Sequence, residues 1–185
     1  MNKKHTSDTD AGKLDALRNE LEETQRSLQM LMSIVNTSPA VVCLWQMTDD
    51  LPVEFISDSI EQFGYSADEL RSGEISFNDI VPPEDMEHLK ADSLEYFDQG
   101  IEEYTTDYRI YAKSGEVRWV KSRNIVVRDS DDQVTHLQGI ILDITEERTT
   151  LIALQQSEEK YRAVVESSGE AICTLNADGV FLFMN

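Results

Sequence analysis

The chain has 185 residues, 40% of them hydrophobic, and sets 16 Lys and Arg against 36 Asp and Glu for a formal net charge of −20. That apolar share supports one folded domain plus a fragment. The acidity argues against nucleic acid or anionic membrane as a partner, because phosphate contacts need clustered Lys and Arg; it reads as a solvated surface. No apolar run of about 18 residues occurs, so no spanning helix is expected. The opening "MNKKHTSDTDAGK" has no apolar stretch of the kind a signal peptide carries. Cys43 and Cys173 lie in apolar strand-like runs and read as buried free thiols in a reducing compartment. A cytoplasmic location is the expectation.

Residues 1–12 are polar and read as a disordered tail. A helix is predicted over 13–36, where Leu14, Leu17, Leu21, Thr24, Leu28, Leu31 and Val35 follow at steps of 3, 4, 3, 4, 3 and 4. This heptad series predicts a dimerising coiled coil. An amphipathic helix lying on its own domain would use a similar stripe. "NTSPA" ends the helix, since Pro39 biases Ser38 away from helical geometry. "VVCLWQM" and "VEFI" read as strands around a polar turn. Ser66 and Glu69 form a capping-box pattern, and a further helix begins at "PPED" and stops at Gly100. From residue 103 the period changes to two. "EYTTDYRIYA", "VRWVKSRNIVV" and "VTHLQGIILDI" read as three strands of an antiparallel meander. Asp143 or Thr145 then caps a helix over about 146–166. This order predicts an α+β fold with an antiparallel sheet covered by helices.

The end of the chain repeats its beginning. "IVNTSPAVVCLW" (34–45) matches "VVESSGEAICTL" (164–175), so that Val35, Ser38, Val42 and Cys43 recur as Val165, Ser168, Ile172 and Cys173. The heptad keeps its phase, with Ile144, Leu151, Leu154 and Tyr161 in the corresponding places, and "VEFIS" aligns with "FLFMN" across a shorter turn. A fixed internal period is the mark of an array. Residues 167–185 are therefore expected to be the truncated start of a second copy.

"FISDSIEQFGYSADEL", "IVPPEDMEHL" and "YRIYAKSGEVRWVKSRNIVVRDSDDQVTHLQGIILDITEER" together resemble the PAS domain with its PAC (S-box) half. The resemblance covers about residues 33–148, with the domain itself at 37–145 and a linker helix at 146–166. It implies a five-stranded antiparallel sheet with helices on one face enclosing a small pocket, flanked by coiled-coil helices. It also implies a sensory module acting through such helices on an output, most often a histidine kinase. A diguanylate cyclase, a chemoreceptor, or a ligand-free interaction and dimerisation module remain open. Implied partners are a second copy, a downstream effector and a small molecule. In the family, Asp143, Ile144 and Thr145 stand at the output junction, where the last strand hands over to the signalling helix.

No catalytic or metal constellation is visible in the sequence, and no enzyme is expected within this chain. His5, His88 and His136 are scattered, and no phosphate loop, metal-ligand spacing or nucleophile elbow occurs. The cofactor stays unknown. Covalent flavin chemistry is not expected, because "DSIEQFGYSADEL" lacks the cysteine that flavin photosensors of the family carry there. Haem is not expected either, since His88 shares a face with Asp92 and Glu95. Trp45, Phe55, Phe63, Tyr108 and Trp119 are the aromatic candidates for lining a pocket, with plain core packing as the alternative. Arg109, Lys121 and Arg123 read either as anion ligands or as partners of carboxylates across the strands, and parity puts Trp119, Lys121 and Arg123 on one face. The candidate ligand set is thus Trp45, Phe55, Phe63, Tyr108, Arg109, Trp119 and Arg123.

Overall fold

The computed structural model describes residues 4–48, 51–167, 173–176 and 178–184. They fall into two compact units, residues 1–143 and 144–185.

Helix α1 spans Lys4–Thr37 and so reaches into the stretch expected as a disordered tail. No proline stands before Pro39 to break it. Its end is fixed where the Ser38 amide donates to the Val35 carbonyl at 3.2 Å and Asn36 Oδ1 accepts from the Asp58 amide at 3.2 Å.

Strands β1 (Val41–Gln46), β2 (Val53–Ile56), β3 (Glu103–Tyr111), β4 (Val117–Arg128) and β5 (Val134–Asp143) form one antiparallel sheet in the order β2-β1-β5-β4-β3. The meander read from the sequence is β3–β4–β5. The structure adds the insertion of β1 beside β5, which pairs Val41 with Ile141 and Gln46 with His136.

Between β2 and β3 lie a 3-10 turn (Asp58–Phe63) and helices α2 (Ala67–Arg71), α3 (Phe77–Ile80) and α4 (Pro83–Asp98). The Ser66–Glu69 capping box is present, and Ser76 with Asp79 forms a second one at α3. Each satisfies two amide donors that a helix start leaves unpaired. The turn and helices α2 and α3 bury Ile60, Phe63, Leu70, Phe77 and Ile80 against Val41, Cys43, Ile56, Val120 and Ile141. Helix α4 buries no residue completely; Met86 and Leu89 are half-buried against the core.

In the second unit, helix α5 (Thr145–Ser167) precedes the hairpin β6 (Cys173–Leu175) and β7 (Phe181–Met184). Its turn is closed by Asn176, whose Oδ1 accepts from the amides of Asp178 at 3.0 Å and Val180 at 2.9 Å.

Candidate functional site

Alternation along the strands sends one set of side chains beneath α4 and the other to the opposite face. The first set and the helix enclose a cavity of about 410 Å³. Trp45, Tyr108, Asn124 and Leu137 form its floor, Met86, Leu89, Ser93 and Phe97 of α4 its roof, and Met47, Thr48 and Leu51 a side wall. The apolar positions of α4 face it because Met86, Leu89 and Phe97 recur at helical spacing.

Trp45 fits there because β5 has no side chain beside it. A Cβ on Gly139 would stand 2.3 Å from Trp45 Cζ3 and 2.6 Å from Cη2. The indole meets Phe77 edge-on at 5.0 Å between ring centroids. Its Nε1–H is buried and has no acceptor among the described residues.

The floor is polar in one direction. Asn124 Oδ1 can only accept, so Ser122 Oγ donates to it at 2.8 Å, and the Tyr108 side chain lies beside this pair. All three residues are buried. Burial raises the Tyr108 hydroxyl far above its ordinary range, and likewise the Cys43 thiol, so both stay protonated. That makes Cys43 inert as a nucleophile. At the roof, Ser93 and the Tyr104 hydroxyl are 2.9 Å apart.

Of the residues picked out in the sequence, the cavity takes Trp45 and Tyr108. Phe63 is placed in the core beside it, and Phe55 sits half-buried on β2, opposite Leu44. Arg109, Trp119 and Arg123 lie outside the cavity lining, because strand parity turns them away from it. There Arg109 stacks over Trp119 at 5.8 Å, and its guanidinium reaches Asp85 and Glu84 at the start of α4. Arg123 pairs with Glu103 at 2.7 Å, and Lys121 stands 4.0 Å from Asp107. Pairing with carboxylates is thus the arrangement these cations adopt.

Asp85 anchors α4 to the sheet edge. One of its oxygens accepts from the Arg109 amide at 2.8 Å and from Nε at 3.0 Å. The Arg109 hydrogen bonds hold its carboxyl below the usual range. Phe77, Ser122 and Asn124 were missed in the sequence. The "SFND" capping pattern and the inward parity of Ser122 and Asn124 with Val120 and Val126 are the signals that would have located them.

At the output junction, Asp143 ends β5 and Thr145 opens α5, with Ile144 buried between them. Asp143 is 3.5 Å from the Arg118 guanidinium. On α1, Leu17, Leu21, Leu28 and Leu31 are 57–63% exposed and Val35 is half-buried, while the Leu14 side chain lies outside the described ones. On α5, Leu151, Leu154 and Tyr161 are exposed.

A family model described as PAS fold matches residues 53–141. The methyl sulfide methyltransferase-associated sensor of Methanosarcina acetivorans is 36% identical over 118 residues, 64% of this chain and 12% of that protein. The two-component sensor PprA of Pseudomonas aeruginosa is 27% identical over 169 residues, 91% of this chain and 18% of that protein. The crystal structure of a sensory box histidine kinase/response regulator from Burkholderia thailandensis superposes with a TM-score of 0.55 at 23% identity, covering 74% of this chain and 98% of the other. The domain formed by β1–β5 and α2–α4 therefore has the PAS fold. The chain spans under a fifth of the length of these two relatives. Among the described residues, no helix is long and apolar enough to cross a membrane and no cluster of His, Cys, Asp and Glu could hold a metal ion.

Proposed function

We propose that this chain is the sensory and dimerisation part of a cytoplasmic signal-transduction protein. It takes up a small molecule under α4 and passes the event through helices α1 and α5 to a downstream output such as a histidine kinase. The observation that carries this reading is a PAS-fold cavity in a chain whose helices before and after it in sequence keep one heptad phase at exposed apolar positions. In this reading the chain performs no catalysis itself.

The leucines of α1 supply the dimer contact. They stand exposed rather than packed on their own domain, which favours the intermolecular reading over the intramolecular one. Changing Leu21 and Leu28 together to Asp is expected to leave the domain folded and convert a dimer into a monomer in sedimentation velocity. An unchanged assembly state would refute the coiled coil.

Asp143 couples the sheet to the output helix through its place at the end of β5 and its pair with Arg118. In the full-length protein, Asp143→Ala is expected to preserve ligand uptake and abolish the response of the output. A normal response would remove this residue from the relay.

A further inference from the structure

The polar groups that meet the cavity are biased toward hydrogen-bond donors. Ser122 Oγ donates to Asn124 Oδ1 at 2.8 Å, which leaves the NH₂ end of that amide to donate. That nitrogen carries two hydrogens, and the Ser122 carbonyl takes one of them at a long 3.3 Å. Trp45 adds the buried indole N–H that has no acceptor among the described residues.

The charges tell the same way. None of the described lining residues is acidic, in a chain with 36 Asp and Glu. Lys90 is the lining cation, exposed on α4. Every other Lys and Arg of residues 53–141 has a carboxylate partner, whereas Lys90 has none among the described residues. The remaining walls, from Met47, Leu89, Phe97 and Leu137, are apolar.

Resting on the reading of this cavity as a ligand site, we propose that its ligand is a small, mainly apolar molecule whose polar group is a hydrogen-bond-accepting oxygen, a carbonyl or a carboxylate. Among the described lining residues a protonated amine is disfavoured, since it would lose its water shell against donors and a cation. The two acceptor types differ in where they are held. A neutral carbonyl is served by Asn124 and Trp45 at the floor, and a carboxylate by Lys90.

Four probes of one shape test this: acetophenone, benzoate, isopropylbenzene and 1-phenylethylammonium. Each is titrated into the ¹⁵N-labelled chain while the Trp45 indole and Asn124 side-chain amide resonances are followed, with Trp119→Phe assigning the indole. Acetophenone or benzoate is expected to bind at least about tenfold tighter than isopropylbenzene, the value of one hydrogen bond to an otherwise unserved donor, and acetophenone to move those resonances. Lys90→Met, an exposed change that leaves the core intact, then separates the sources. Benzoate binding by the wild type that Lys90→Met abolishes, with acetophenone unaffected, assigns the carboxylate, and acetophenone binding by a wild type that does not bind benzoate assigns the carbonyl; each supports the proposal. Isopropylbenzene or the ammonium binding as tightly as the acceptors, or acetophenone binding that moves neither resonance, overturns the ligand class and leaves the cavity a ligand site. If none of the four binds, the ligand-site reading itself falls, and this inference with it.

Discussion

The hairpins β1–β2 and β6–β7 have the same register and a different fate. In the first, Cys43, Leu44 and Trp45 pair with Ile56, Phe55 and Val53, with an irregularity between Leu44 and Trp45. In the second, Cys173, Thr174 and Leu175 pair with Met184, Phe183 and Phe181, with the irregularity between Thr174 and Leu175. The helices before them occupy corresponding stretches of the sequence repeat, whose offset is 130 positions. Yet β1 is joined along its other edge to β5 over six residue pairs, whereas β6 and β7 form a two-stranded sheet among the described residues. Local sequence thus writes the same turn, pairing and bulge twice. What turns a hairpin into part of a domain is the partner strand and the helical layer over it, because two strands alone bury too little to be stable in water.

Hydrogen exchange on the whole chain gives the widest expected contrast. Amides of β1 are expected to be protected about a thousandfold or more beyond those of β6, since the former open only with the sheet and the latter with a hairpin. Equal protection would break the comparison.

Gly139→Ala sharpens it from the other side, for it strikes what the first hairpin has gained. The added methyl would stand 2.3 Å from the Trp45 ring, and overpacking of this kind costs about 3 kcal/mol. A lowered denaturation midpoint for the PAS domain with unchanged exchange in β6–β7 is the expected result. An unshifted midpoint would mean that Trp45 can leave its seat freely.

A smaller effect is expected at the tether of α4. Asp85 is 14% exposed and bonded to Arg109, so Asp85→Ala should destabilise the domain by about 2 kcal/mol in urea melts, again without touching β6–β7. The carboxyl is held below its unfolded value of 3.8, so its contribution is present above that pH and is lost as pH falls through the lower folded value. Stability of the wild type is therefore expected to drop below about pH 4 more steeply than that of Asp85→Asn. Parallel acid profiles would show that Asp85 carries no such linkage.

Much of the domain could be read in advance. Period-two alternation marked β3, β4 and β5, the proline and glycine signals bounded α4, and "SADE" declared the cap of α2. The site was less legible. Trp45 and Tyr108 were named, but Arg109, Trp119 and Arg123 were grouped with them although their parity faces them away from the cavity. Aromatic or basic character does not say which face of a strand a residue occupies; counting the alternation from a known buried position such as Val120 does. Phe77 escaped because α3 is only four residues long and shows no period of its own.

By itself, the sequence determined the element types, the caps, the heptad phase and the repeat, because each depends on residues within a few positions of one another. Tertiary structure alone decided that β1 lies between β2 and β5, that Gly139 makes room for Trp45, and that Asp85 ties α4 to β3. Those contacts join segments from 24 to 100 positions apart, and they form by complementarity of surfaces that exist only once the strands and helices have come together.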